Sequence, residues 1–314
     1  MIIFTIFPGI GKNIKKRSFQ LNSYQLLLII TIIALSSCKK EIKIANDSSY
    51  VNLQSPVIPA SQFNNIAYGN HPQQKLDLYL PEGRSKNATK LMILIHGGEW
   101  SGGDKSQMEY FIRRFQSDLK DFAFASLNYR LAFTNNNLFP SQEEDVNNAV
   151  LFLLNRLDSF HISDKHILFG ESAGGHLALL QAFKYKRSSA RAVVALAPPS
   201  DLLYMYNNPI SPQNREVLER IIGGTPASTN LYQTSSPANY TSGYTPAMLL
   251  FHGTNDNVID PRQSINLTNK LRLKGENPGL FLLQNELHRF STLAFDEVFL
   301  KTIELLKQPQ LFKN

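Results

Sequence analysis

The 314 residues hold a single cysteine, Cys38. No intrachain disulfide can form and no Cys-x-x-Cys metal site exists. Charged residues make up only 18% of the chain, and no dense Lys/Arg stripe runs through its body, which argues against a nucleic-acid surface. The net charge of +7 is unevenly placed. Lys12, Lys15, Lys16 and Arg17 precede residue 38 with no acid among them, and without these four, 28 basic residues face 25 acidic ones. Internal repeats and low-complexity tracts are missing, which excludes solenoids. No His/Cys/Asp cluster has metal-ligand spacing and no Gly-rich loop fits a phosphate, so neither a metal nor another cofactor is expected. What remains, 43% apolar residues with 17 Gly and 16 Pro, is the composition of a globular body.

The N-terminus reads as an address. The basic cluster at 12–17 is followed by a ten-residue apolar run, LLLIITIIAL (26–35), then Ser36, Ser37 and Cys38. That order is the pattern of a secretory signal peptide, and the run is short for a span of about 20 residues. LSSC (35–38) resembles the lipobox of bacterial lipoproteins. The resemblance implies that residues 1–37 are removed, that Cys38 is acylated, and that the protein is lipid-anchored in a bacterial cell envelope. The alternative is a signal anchor with an ordinary thiol, but Gln20, Asn22, Ser23 and Gln25 interrupt its charge-free stretch. Residues 38–62 are polar and aperiodic, the composition of a tether.

From residue 63 onward, short apolar runs alternate with amphipathic ones. Strands are expected at 64–68, 75–80, 91–95, 122–127, 166–169, 192–197, 247–251 and 280–283. Helices are expected at 107–119, 142–157, 172–183, 261–273 and 292–306. This alternation implies an α/β fold, a mostly parallel sheet covered by helices on both faces. Residues 199–245 break the rhythm. They hold one expected helix at 215–222 among Pro, Asn, Ser and Tyr, and form a small cap-like insertion that is placed to cover the carboxyl ends of the strands.

Gly170-Glu171-Ser172-Ala173-Gly174 fits the G-x-S-x-G pattern, and it lies between an apolar run and a helix-like stretch. That is the strand–turn–helix context in which such a serine is lifted clear of a sheet. A serine hydroxyl is a weak nucleophile without a neighbouring base, and on this architecture the acid and then the histidine follow the serine in the chain. Of seven histidines only His176, His252 and His288 lie beyond Ser172. His176 falls on the serine's own helix. His252 directly precedes a turn glycine, with no acid between it and the sheet. His288 follows the last strand at its catalytic end. Among the acids, Asp260 adjoins Pro261 and reads as a helix cap, and Asp201 remains a rival to Asp256 in the loop after strand 247–251. Ser172, Asp256 and His288 are therefore the expected catalytic set. His96-Gly97-Gly98-Glu99-Trp100 follows strand 91–95. The backbone N–H groups of Gly97, Gly98 and Ala173 are the expected oxyanion donors.

Together these segments resemble the α/β-hydrolase superfamily, and within it the acetyl-esterase and feruloyl-esterase-like branch, related to the hormone-sensitive-lipase-like carboxylesterases. The resemblance lies in YGNHPQQKLDLYLP (68–81), LIHGGEWSGGDK (94–105), LNYRLA (127–132), FPSQEEDVNNAVLFL (139–153), HILFGESAGGHLALL (166–180), MLLFHGTNDNVID (248–260) and the late His288. It implies an α/β-hydrolase fold over residues 63–314 and a serine carboxylic-ester hydrolase acting on short acyl esters, with acetyl or feruloyl groups on carbohydrates as substrates. Aryl-formamidase or peptidase chemistry on the same triad, and a non-catalytic carbohydrate-binding lipoprotein, are the alternatives. Two positions depart from the family pattern. Glu99 stands where a small residue usually follows the HGG, and Arg289-Phe290 stand where Gly and an aromatic usually follow the histidine. Glu99 and Trp100 are expected to touch substrate, Tyr129 and Arg130 to brace the oxyanion loop, and Asp145 to anchor its helix. Tyr204, Tyr206, Tyr232, Tyr240 and Tyr244 form either an aromatic binding surface or the core of the cap.

Overall fold

The computed structural model describes residues 57–133, 135–185, 190–243 and 245–313. The expected signal segment, Cys38, the tether up to residue 56 and Tyr244 lie outside these residues. The apolar runs become eight strands: β1 Ser61–Ala67, β2 Lys75–Leu80, β3 Lys90–Ile95, β4 Phe122–Leu127, β5 His166–Glu171, β6 Ala192–Leu196, β7 Ala247–Gly253 and β8 Gly279–Leu283. They form one sheet in the order β1-β2-β4-β3-β5-β6-β7-β8. Strands β3 to β8 are mutually parallel, and β2 is antiparallel to both β1 and β4. Among the described residues, the seven helices longer than a single turn are α1 Glu109–Asp118, α2 Ser141–Leu154, α3 Ala173–Phe183, α4 Leu202–Asn207, α5 Pro212–Ile222, α6 Arg262–Arg272 and α7 Thr292–Leu306.

Alternate residues of the central strands feed two cores, as the period of two requires. Leu91, Ile93 and Ile95 of β3 pack with Val146 and Val150 of α2, Leu177 of α3 and Leu267 of α6. Met92 and Leu94 pack on the opposite face with Phe111, Ile112 and Phe115 of α1 and Val298 and Phe299 of α7. Burying each such side chain stabilises the fold by about 1.5–3 kcal/mol. The parallel arrangement brings the carboxyl ends of β3, β5, β7 and β8 to one edge of the sheet. His96, Ser172, Asp256 and His288 emerge along that edge.

Local chemistry shifts several expected boundaries. The helix expected from residue 107 opens with a 3₁₀ turn, Lys105–Met108, because the Asp104 carboxylate accepts the Ser106 N–H. Helix α5 begins at Pro212 rather than 215, behind a reciprocal cap between Ser211 and Asn214. Helix α4 has no counterpart among the expected helices. It exists because Asp201 caps it, accepting the Tyr204 N–H at 2.9 Å. Asp260 stands one residue before the N-cap, Pro261, and accepts the Arg262 N–H at 2.9 Å. The acids at 201 and 260 are thus both committed to helix starts.

Candidate active site

Ser172 sits between β5 and α3 with φ 53° and ψ −119°, a conformation that strains a residue bearing a Cβ. The turn is over-determined by its neighbours. The Ser172 N–H donates to the Leu196 carbonyl at 2.7 Å. Gly174 lies so close to the Ile95 and His96 carbonyls that any Cβ there would overlap them. The strain lifts the hydroxyl out of the sheet, and its Oγ lies 2.9 Å from His288 Nε2. His288 Nδ1 stands 2.7 Å from Asp256 Oδ2. Ser172, His288 and Asp256 are thereby joined in one hydrogen-bonded row. Asp256 is fully buried, and the His288 side chain is 20% exposed.

Burial alone would push the Asp256 carboxyl up. Hydrogen bonds from His252, His288 and the Ile259 N–H outweigh it and hold the group well below the usual carboxylate range. The other carboxylate oxygen, Oδ1, accepts the N–H groups of Val258 and Ile259 at 2.8 and 2.9 Å. One expectation is corrected here. His252 does have an acid beside it, because its Nε2 lies 3.2 Å from Asp256 Oδ2. Its Nδ1 faces the Ser264 hydroxyl at 2.7 Å. Only the four-residue spacing of His252 and Asp256 hints at this. The His288 loop is fixed despite its departure from the family pattern. Asn255 donates to the Glu286 carbonyl, Glu286 binds Ser291 through both carboxylate oxygens, and Phe290 is buried.

On the other side of Ser172, Gly97 packs against the Ser172 Cβ and Gly98 takes φ 113°. The N–H groups of Gly97 and Gly98 have no hydrogen-bond partner among the described residues. Ala173 is the first residue of α3, where the N–H has no intrahelical acceptor. Three donors therefore flank the serine. The expected brace is in place: the Tyr129 hydroxyl donates to the His96 carbonyl at 3.1 Å, and the two rings stack at 4.4 Å. Arg130 and Asp145 join through several hydrogen bonds of 2.7–3.0 Å. The buried Asp145 thus anchors the 128–132 segment as well as its own helix.

Two cavities open at Ser172. One, of about 460 Å³, is bounded by Gln107, Tyr110, Glu171, Arg289 and Phe295. Burial pushes the Glu171 carboxyl up there, and His288 and Arg289 oppose that. The second, of about 270 Å³, is bounded by Trp100, Pro199, Met205, Val217, Val258 and Ile259. Glu99 borders both and pairs with Arg220 at 3.7 Å. Trp100 borders the smaller cavity as expected for a pocket residue, but its polar atom faces the protein. Its ring is buried, and its indole N–H donates to His176 Nδ1 at 3.1 Å instead of standing free for a ligand. The cap tyrosines also turn inward. Tyr206 donates to Glu219, Tyr232 to the Gly224 carbonyl and Tyr240 to the Thr234 carbonyl. None of the described cap tyrosines lines either cavity. Glu171, Gln107 and Tyr110 are cavity residues to which the sequence gives no substrate role, and Arg289, singled out only as a departure from the family pattern, is a fourth. Three of them lie on elements whose apolar pattern speaks only of packing.

Residues 76–271, more than half of the chain, match the profile of the BD-FAE family. The chain belongs to the BD-FAE family of α/β-hydrolase carboxylesterases. The match spans β3 to β7 with the HGG loop, the Ser172 turn and Asp256, and ends before β8 and His288. Among curated relatives, it is similar to arylacetamide deacetylase of Bos taurus, with 34% identity over 105 residues. That alignment covers 32% of this chain and 26% of the relative. Among solved structures, it is similar to a bifunctional GH43-CE protein of Bacteroides eggerthii, with a TM-score of 0.66 and 25% identity, covering 78% of this chain and 37% of that one. A truncated carbohydrate esterase from gut microbiota has the same fold, with a TM-score of 0.66 and 24% identity over 78% of this chain and 95% of its own. This BD-FAE chain thus spans only about a quarter of the bovine relative and about a third of the bifunctional protein.

Proposed function

We propose that this BD-FAE chain is a serine carboxylic-ester hydrolase. The observation that carries the reading is the unbroken row from Ser172 Oγ through His288 to Asp256. In this mechanism Ser172 Oγ attacks the ester carbonyl carbon and its proton passes to His288 Nε2. The carbonyl oxygen, now negative, is held by the N–H groups of Gly97, Gly98 and Ala173. His288 then protonates the leaving alkoxide as the acyl–oxygen bond breaks, and water repeats the sequence to free the acyl group. Asp256 orients the imidazole and stabilises its protonated form. Each oxyanion donor contributes about 10²–10³ in turnover.

The cavities support a division of the substrate. The apolar side chains of Met205, Val217, Val258 and Ile259 fit the acyl side of the ester, an acetyl or a feruloyl group. The larger cavity, with Gln107, Glu171, Arg289 and the Tyr110 ring, fits a hydroxylated alcohol such as a sugar. The names of the two structural neighbours, a GH43-CE protein and a carbohydrate esterase, are consistent with that alcohol. Glu99 and Arg220 stand at the mouth between the cavities. The lipobox resemblance of LSSC supports anchorage through Cys38 in a bacterial envelope, facing the periplasm or the cell surface.

The test is hydrolysis of 4-nitrophenyl acetate and of acetylated and feruloylated xylosides, together with fluorophosphonate labelling. Turnover and labelling that both vanish in Ser172→Ala support the reading. Intact esters and an unlabelled Ser172 in the folded parent would falsify it. The likeness to a deacetylase that is named for an amide favours a second reading, amide hydrolysis on the same residues. Aryl-formamide and acetanilide rates that exceed the ester rates would select it.

A further inference from the structure

Glu99 and Trp100 take φ of 53° and 57°, the left-handed region that costs a side-chain-bearing residue about 1–2 kcal/mol. Two consecutive residues of this kind come directly after the Gly97 and Gly98 amides. Something must hold them there. The Trp100 carbonyl accepts the Ala132 N–H at 2.9 Å. The Trp100 indole N–H donates to His176 Nδ1 at 3.1 Å. His176 Nε2, at 2.7 Å, faces the Ser235 carbonyl in the cap insertion. The His176 ring is completely buried and meets Trp100 edge-on at 5.2 Å, with Phe139 closing the cluster at 5.7 Å. His176 belongs to α3, and its N–H donates to the Ser172 carbonyl at 3.0 Å.

The protonation pattern is set by the partners. An indole N–H can only donate and a carbonyl can only accept. Nδ1 must therefore be bare and Nε2 must carry the hydrogen, so the neutral imidazole satisfies both bonds. Protonation would set an N–H against the indole N–H. Burial pushes His176 down to about 4, with a smaller push from Lys184. Lys184 is itself paired with Glu143 of α2. At neutral pH the ring is thus a fixed bridge between the oxyanion loop, the nucleophile helix and the cap.

We propose that His176 is a positioning residue for the reaction: through Trp100 it sets the Gly97 and Gly98 amides against Ser172, and through Ser235 it ties that setting to the cap. The inference rests on the serine-hydrolase reading. It asks of His176 no contact with substrate. Displacing donors by a fraction of an ångström costs transition-state stabilisation and leaves ground-state binding little changed.

The experiment compares the parent with Trp100→Phe, His176→Phe, His176→Gln and the Trp100→Phe/His176→Phe pair on 4-nitrophenyl acetate. Circular dichroism fixes a temperature at which all are folded. Trp100→Phe and His176→Phe are expected each to lower kcat about 10- to 100-fold with KM within about twofold. The pair is expected to lose no more than the worse single variant. His176→Gln, whose amide oxygen can accept the indole N–H, is expected to recover part of the loss. Trp100 is the chain's single tryptophan, so its emission reports this bond directly. It is expected to move to shorter wavelength in His176→Phe and to stay close to the parent in His176→Gln. If His176→Phe fails to fold, Trp100→Phe and His176→Gln still read the same bond. Single-variant kcat values within twofold of the parent, losses carried by KM, or losses that multiply in the pair overturn the proposal. A parent that leaves the ester intact overturns the hydrolase reading instead, and the emission shifts still report whether the bridge exists.

Discussion

His252 Nε2 lies 3.2 Å from Asp256 Oδ2, the same oxygen that stands 2.7 Å from His288 Nδ1. One carboxylate oxygen thus faces two imidazoles, one buried and one at the cavity. Hydrogen bonds to a charged group are worth about 1.5–3 kcal/mol. His252→Phe should therefore lower the melting temperature and reduce kcat roughly tenfold, because Asp256 loses part of what fixes its direction. Asp256→Asn should cost far more, about 10⁴ in kcat, since it disturbs the imidazole tautomer itself. Steady-state kinetics with thermal melts on both variants checks the ranking. Equal effects would mean that the carboxylate does not orient His288.

Ser172→Ala and His288→Ala should each cost on the order of 10⁶ in turnover, and the double variant hardly more, because the two act as one unit. Both should keep the fold. Ser172 N–H is held by the backbone and the His288 loop by Glu286 and Ser291. Single-turnover kinetics and circular dichroism check this.

Stability should fall on mild acidification. His96 and His176 are both buried, and burial pushes each down to about 4 from 6.5. Between those two values the unfolded chain binds more protons than the folded one, so stability is full above about 6.5 and drains away as pH falls toward 4. At pH 4.5 the loss is about 2.5 kcal/mol for each histidine. Urea unfolding at pH 7.5, 5.5 and 4.5 reads it. A midpoint that stays constant over that range would contradict the buried neutral state.

Filling the smaller cavity should sort substrates by acyl size. Val217→Phe places a ring where about 270 Å³ is open beside Met205 and Ile259. Rates on butyrate and feruloyl esters should drop at least tenfold while acetate changes little. If the selectivity instead tracks the leaving alcohol, the acyl and alcohol sides are exchanged.

Gly174→Ala should be among the most damaging single changes. The new Cβ has no room against the Ile95 and His96 carbonyls, and backbone cannot move aside as a side chain can. A loss above about 3 kcal/mol or failure to accumulate is expected, measured against Ala173→Gly as a control for handling.

The layered fold and the three side chains of the hydrogen-bonded row, Ser172, His288 and Asp256, are legible in the residues alone. The continuous apolar runs of β3 and β4 and the helical stripe at Val146, Ala149, Val150 and Leu153 announce the parallel layers, because burial on both faces leaves a local trace. The G-E-S-A-G turn and His288 are readable for a related reason: strand direction fixes which chain ends share an edge. The rest depends on pairings that leave no local pattern. Trp100 meets His176 across 76 positions, and His176 meets Ser235 across 59. A short helix such as α4 depends on one cap, Asp201, within a stretch too brief for any period. The tyrosines of the insertion are ambiguous for the same reason. A phenol looks alike in sequence whether it faces a ligand or donates to a carbonyl behind it.

The Ser172, His288 and Asp256 row lies wholly at the carboxyl edge of the parallel strands, away from their amino edge. The turn between α6 and β8 lies there, on the far side from Ser172, and at Gly275 a Cβ would touch nothing within 4 Å. New termini or a fused partner introduced at that turn would leave every loop of the reaction edge intact. Shortening a loop on the opposite side would remove chemistry with it. The polypeptide is thereby divided into one rim that tolerates cutting and another that does not.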